Sequence, residues 1–273
     1  MKKVVLLVTL LFCYVVNAQE EFGDITYNKA VNISGKQRML GQKMAKAYLY
    51  LLENPMSMKA KNELTTSRII FEKHNEILKK YANGKETSQE INEVLEIWTG
   101  FEKIYKSVPN VHDAKKVVAN NSKLLKKSDD VVKSIILDAE SNSQVLSDDT
   151  LEDNIELKNI INKSGKQRML SQRLALYYFA NVSNIRTDEV DANLKEAFTN
   201  FDEAISDLLL SNFNNEKVEK VLGEAMRDWD EFKNHKEEFL THRLSSNEVY
   251  TRTNNLTKTF NKLTALYERV KLN

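Results

Sequence analysis

The residues Ser34-Gly35-Lys36-Gln37-Arg38-Met39-Leu40 return unchanged as Ser164-Gly165-Lys166-Gln167-Arg168-Met169-Leu170, 130 positions further along the chain. Asn32 and Gln42 have counterparts in Asn162 and Gln172 at the same offset, as Phe71 has in Phe201. Trp98-x-x-Phe101 returns as Trp229-x-x-Phe232 one position later. Self-similarity at a fixed period marks a duplicated unit. Whatever the chain folds into must be something that one half can build and two halves can share.

That unit is helical. The sequence holds only 7 Gly and 2 Pro, too little turn chemistry for a many-stranded sheet. Apolar periodicity and stop signals predict four helices in the first half, from Ile25 to Glu53, Ser57 to Ala82, Ser88 to Ser107 and His112 to Leu146. Asn54-Pro55, Asn83-Gly84 and Pro109-Asn110 supply the breaks. The second half predicts helices from Leu151 to Asn181, Thr187 to Leu210, Asn215 to Thr241 and Ser246 to Leu272. Ser245-x-x-Glu248 forms a capping box before the last of these. Four helices with short connections favour up-down-up-down packing. The expected fold is therefore all-α: two tandem antiparallel four-helix bundles, over 19–146 and 147–273, behind an N-terminal signal peptide at 1–18. The join near Ser147-Asp148-Asp149-Thr150 is compatible with a capped break or with one continuous helix. Bundles set end to end and bundles set side by side both remain open.

The signal is read from Lys2 and Lys3, the apolar run from Val4 to Val16, and Val16-Asn17-Ala18, with cleavage expected after Ala18. The run is shorter than the roughly 20 residues a membrane span needs. Cys13 is the only cysteine and falls inside this leader. The exported chain, periplasmic or secreted, must then hold together by helix packing without disulfides. Its formal charge is +1 with the two leader lysines and two units lower without them, acids and bases being interleaved throughout. That is no field for nucleic acid.

On a helix, Val31, Ser34, Gly35, Arg38, Gly41, Gln42 and Ala45 share one stripe, repeated as Ile161, Ser164, Gly165, Arg168, Ser171, Gln172 and Ala175. A different face carries Ile33, Leu40, Met44, Ala47 and Leu51, enough for a bundle core. The small residues allow a neighbouring helix to approach closely and to bring a second arginine. Two guanidinium groups buried together demand a counter-anion. A permanently charged planar fork of donors suits a small planar oxyanion, with Ser34, Ser164, Gln42 and Gln172 as further neutral donors. The plain alternative is that each arginine pairs with a carboxylate or lays its stem along apolar surface, and the small residues only ease packing.

Asn-x-Ser-Gly-Lys-Gln-Arg-Met-Leu-x-Gln, present twice, resembles the first-helix signature of the NarX-like and PilJ-type sensor domains, periplasmic four-helix modules of nitrate sensor kinases and of type IV pilus chemotaxis transducers. The likeness is strongest over 32–45 and 162–175. It implies that Arg38 and Arg168 bind nitrate, nitrite or a similar anion between two copies of the first helix, with Gly35, Gly165, Met39 and Met169 lining the site. Gln37-Arg38-Met39-Leu40 resembles the PilJ-type branch more closely. The sensors of this family carry a second span and an output domain, which have no counterpart after the last expected helix. The expected partners are thus a small anion and either a second copy of the chain or a membrane signalling protein.

Glu231, His235, Glu238 and His242 stand at helical spacings and invite a metal, but the Glu-x-x-His that a di-iron bundle places on two helices is missing. No Cys-x-x-Cys-His attaches haem, and no phosphate loop or nucleophile elbow is present, so neither cofactor nor enzyme activity is expected. Trp98, Phe101, Trp229 and Phe232 are expected in the core. The competing function is a helical interaction module in which the stripe is a dimerisation seam with no ligand.

Overall fold

A computed structural model describes residues 21–142 and 148–271. The leader at 1–18 and its cleavage point, the unit boundary between residues 146 and 147, and the expected helix ends at Leu146 and Leu272 lie outside them. A two-residue hairpin, β1 (Glu21–Phe22) and β2 (Ile25–Thr26), precedes the helices. Gly23 turns it at φ +62°, and a Cβ there would fall 2.6 Å from the Tyr81 ring. The hairpin was not expected from the sequence, being too short to show an alternating pattern.

The first half then forms α1 (Tyr27–Glu53), α2 (Met58–Tyr81), α3 (Lys85–Lys106) and α4 (Val111–Asn142). Thr26 and Ser57 cap the first two, their hydroxyls accepting from the Lys29 and Ala60 amides. The second half forms α5 (Asp148–Val182), α6 (Asp188–Leu209), α7 (Glu216–Lys233), α8 (Lys236–Leu240) and α9 (Ser246–Tyr267). Thr187, Asn215 and Ser245 cap α6, α7 and α9. One expectation is corrected here: the helix read as continuous from Asn215 to Thr241 breaks at Asn234 and His235. His242 adopts a left-handed φ of +59° with its ring against Tyr178. Glu231, His235, Glu238 and His242 therefore do not share one helical face.

Each half closes on itself, α1 through α4 in one ring and α5, α6, α7 and α9 in the other. The expected core residues hold the same places in both. Phe71 packs on Trp98 at 4.4 Å between ring centres, and Phe201 on Trp229 at 4.3 Å. Phe101 and Phe232 are buried beside them.

The most extensive contact between any two helices joins the halves, α1 against α5. The two bundles thus lie side by side. Arg38 meets Asn162 and Arg168 meets Asn32 at one level, while Tyr50 meets Phe179 roughly three turns further along. The seam helices are therefore parallel, as in a duplicated unit whose approximate two-fold axis runs along them. Flanked by α2, α4 and α5, α1 is buried almost all round, and its Ala30, Gly35, Gly41, Ala45 and Ala47 leave room for that crowding.

One charged group is embedded in this seam with no equivalent in the second half. Lys46 is fully buried, where its counterpart is Leu176. Its ammonium lies 2.5 Å from Glu63 Oε1 on α2, donates to Asn254 Oδ1 on α9 at 2.8 Å, and sits 4.2 Å above the Tyr250 ring. Burial lowers its pKa to about 8 against the opposing pull of Glu63. Removing one member of a buried pair leaves the other charge uncompensated. Glu63→Gln should therefore cost roughly 3 kcal/mol in denaturant unfolding; a loss within the ~0.5 kcal/mol of ordinary surface changes would contradict this reading.

Candidate functional site

The block that the sequence repeats comes together at the α1–α5 seam. Arg38 is 1% exposed and Arg168 is 0% exposed. A Cβ built on Gly35 would lie 3.3 Å from Arg168 Nη2 and 3.4 Å from Arg38 Nη2. The two guanidinium tips are thus separated by no more than the sum of those distances, close for two like charges out of water. On Gly165 the same construction gives 3.0 and 3.5 Å. A side chain at either position would press on the guanidinium groups where the tips meet.

Each arginine is gripped by the first residue of the other copy's motif. Arg38 Nη2 donates to Asn162 Oδ1 at 2.7 Å and to the Asn162 carbonyl at 3.4 Å, and Arg168 Nη1 donates to Asn32 Oδ1 at 2.8 Å. These asparagines were quoted in the repeat without a role. Their reciprocal reach follows from parallel helices whose long side chains lean toward their N-termini.

Beyond that the symmetry fails. Arg38 Nη1 is ion-paired with Asp129 of α4. The residue in the equivalent place on α9 is Asn261, whose Oδ1 accepts from Arg168 Nη1 at 3.3 Å. An amide thus stands where the first half has a carboxylate. Arg168 keeps both Nε and Nη2 buried without a protein acceptor, whereas Arg38 leaves only Nε.

Charge follows the same asymmetry. Burial pulls the Arg168 guanidinium down to about 9, Arg38 pushes it the same way, and Glu268 opposes them. Burial also lowers Arg38, with Asp129 opposing. Burial alone would raise the Asp129 carboxyl, but Arg38 and Lys133 together hold it below its ordinary value. An arginine keeps its proton in proteins, so the pair carries more positive charge than the one half-buried carboxylate bonded to it can offset. Glu268, the nearest acid on the Arg168 side, is occupied by the Lys29 ammonium at 3.0 Å and by the Asn32 amide.

The other residues expected at the site divide. Ser34 Oγ donates within its own helix, to the carbonyls of Ala30 (2.9 Å) and Val31 (3.1 Å). Ser164 bonds to Thr264, Gln42 exchanges hydrogen bonds with Asn121, and Gln172 donates to Thr253, Asn254 and Thr257. Gln42 ties α1 to α4, Ser164 and Gln172 tie α5 to α9, and the hydrogen bonds of all four residues are spent away from the arginines. Met39 and Met169 line grooves on either side of the seam, not the space between the tips.

Those grooves are counterparts of each other. One, of about 720 Å3 between α1, α2 and α9, is walled by Lys36, Lys43, His74 and Asn261. The other, of about 650 Å3 between α4, α5 and α6, is walled by Lys166, Arg173, Ala204 and Asp129. His74, like Asp129 and Asn261, was not identified from the sequence. Burial, and after it Lys36, Arg168 and Lys29, lower its pKa to about 4. It is neutral at neutral pH, and its Nδ1 is buried without a partner. Among the described residues no group of His, Cys, Asp or Glu is placed to hold a metal, and no helix is long and apolar enough to cross a membrane.

A family model described as the type IV pili methyl-accepting chemotaxis transducer N-terminal domain matches residues 26–126 and 151–257, one stretch in each half. No curated protein and no solved structure matches the chain.

Two outcomes follow from these charges. Asp129→Ala leaves two buried guanidinium groups without a carboxylate and should cost about 3 to 5 kcal/mol in chemical unfolding; an unchanged midpoint would contradict the ion pair. The unfolded chain protonates His74 near pH 6.5 and the folded one only near 4, so between those values the unfolded state binds more protons. Stability carried by His74 is then lost as pH falls through that window. His74→Gln should flatten the decline in melting temperature between pH 6.5 and 4, and parallel curves for the two proteins would refute it.

Proposed function

The chain belongs to the family of type IV pili methyl-accepting chemotaxis transducer N-terminal domains, and from that premise we propose that it is an exported, non-enzymatic sensor-type protein that binds a small anion at its paired arginines. The observation that carries this reading is Arg168: a fully buried cation with two donor atoms lacking a protein acceptor, placed against a second buried cation. Leaving buried donors unmet costs about 1–3 kcal/mol each, more for charged groups. A planar oxyanion such as nitrate, nitrite or a carboxylate supplies both the missing acceptors and the missing charge.

The units over 19–146 and 147–273 act in this reading as an intramolecular pair. The place of a dimer partner's first helix is taken by α5, so that one chain encloses what two separate copies would otherwise have to meet to form. Binding offsets the repulsion across the seam and favours one packing of α1 on α5, which a membrane partner reads outside the cytoplasm. The competing reading, a dimerisation seam with no ligand, is weakened because both small-residue stripes are covered by each other within the chain.

A ligand that binds only the folded state stabilises it by about 2.7 kcal/mol at a hundredfold excess over Kd. Nitrate, nitrite or formate at millimolar concentration should raise the melting temperature by several degrees at constant ionic strength, and Arg168→Ala should abolish the rise. An equal rise in the variant, or none in the native protein with any of the three, would remove the arginines from the function.

A further inference from the structure

Beyond the asparagine that grips each, the seam's two arginines differ in their partner, and that difference bears on how many anions bind and of what kind. Arg38 already holds a carboxylate, that of Asp129, with Asp129 Oδ2 braced by Lys133 at 3.0 Å. Asp129 lies on the wall of the groove between α4, α5 and α6, so this carboxylate faces Arg38 from the groove side. On the opposite side Asn261 takes that place, the groove between α1, α2 and α9 has Lys36 and His74 in its wall, and Arg168 retains two free donors.

Resting on the proposed anion binding, we propose that the groove between α1, α2 and α9 admits one small monocarboxylate to the free edge of Arg168, past Lys36, His74 and Asn261. On the other side Asp129 already supplies Arg38 with a carboxylate from its own groove, where Asn261 gives Arg168 only an amide. The chain therefore takes one anion and not two.

The chemistry of the occupant is read from the partner that Arg38 already has. The group that satisfies Arg38, at Nη1, is a carboxylate on a single methylene, and the Nε and Nη2 left over on Arg168 form one edge that an anion of formate or acetate size meets with its two oxygens. The charge balance points the same way. Arg38 and Arg168 against Asp129 leave one unit of positive charge in the buried cluster, and a monoanion cancels it, whereas a dianion brings an excess charge into a dry seam. Lys36 adds a partly buried ammonium at the mouth, its pKa lowered by burial and then by Arg168. His74 contributes an unpartnered Nδ1 that as an N–H donates to an oxyanion. The equivalent of His74 across the seam is Ala204, which offers nothing of the kind.

Isothermal titration of the full protein with formate, acetate, nitrate and sulfate tests this, alongside Asn261→Asp and Asp129→Asn. Asn261→Asp places a carboxylate beside Arg168 as Asp129 does beside Arg38. Formate and acetate are expected to bind the native protein at one per chain, with sulfate at least tenfold weaker. Asn261→Asp should lose that binding at least tenfold while melting at or above the native temperature. Asp129→Asn should take up a second equivalent. Formate binding that Arg168→Ala removes but Asn261→Asp leaves intact would overturn the groove assignment and spare the anion reading. Two equivalents in the native protein would overturn the role of Asp129. If no anion binds the native protein, both fall together. Should Asp129→Asn fail to fold, the Asn261→Asp result decides alone.

Discussion

Two guanidinium groups share one buried seam with a single carboxylate bonded to one of them, and the rest of the molecule is arranged around that imbalance. Parallel packing of α1 and α5 makes the encounter unavoidable, because equal positions in two copies of one helix must then lie at the same level. Charges of like sign in a medium of low permittivity repel strongly. The seam tolerates them through the crossed grip of Asn32 and Asn162, the ion pair to Asp129, and the open backbone of Gly35 and Gly165.

Duplication within one chain makes this arrangement possible. A symmetric dimer of single units would place identical residues beside both arginines, both neutralised or neither. Fusing the copies lets them diverge. α4 carries Asp129 where α9 carries Asn261, α1 carries Lys46 where α5 carries Leu176, and α2 carries His74 where α6 carries Ala204. Each difference adds charge or a titratable group to one side of an otherwise repeated frame. The Lys46–Glu63 pair, tied to Asn254 of α9, fastens the first bundle to the second along the same side as the basic groove.

Much of this was legible in the sequence because it is local or repeated. The helices, the cap at Ser245, the aromatic pairs around Trp98 and Trp229, and the arginines themselves all follow from spacing or from the motif. The hydroxyls and amides of Ser34, Ser164, Gln42 and Gln172 were assigned by face alone. Face does not say which neighbour will claim a donor: α4 and α9 claim Gln42, Ser164 and Gln172, and the backbone of α1 itself claims Ser34. Asp129 and Asn261 escaped for a different reason. They lie 132 positions apart, not 130, in stretches of low self-similarity, and they differ in chemistry, so no comparison of the halves pairs them before α4 and α9 are placed in space. The break at Asn234 shows no Gly or Pro, and the helical periodicity runs through it.

The central claim is that Arg168 is a charged group still short of acceptors inside the folded protein. The most direct measurement is a crystal structure of the full protein grown in formate, compared with one grown without it. The account predicts planar density within hydrogen-bond distance of Arg168 Nη2 and Nε, close to Asn261, and none at Arg38 beyond the Asp129 carboxylate. An Arg168 that instead closes onto Glu268 or another carboxylate of its own, with the same density in both crystals, would contradict it.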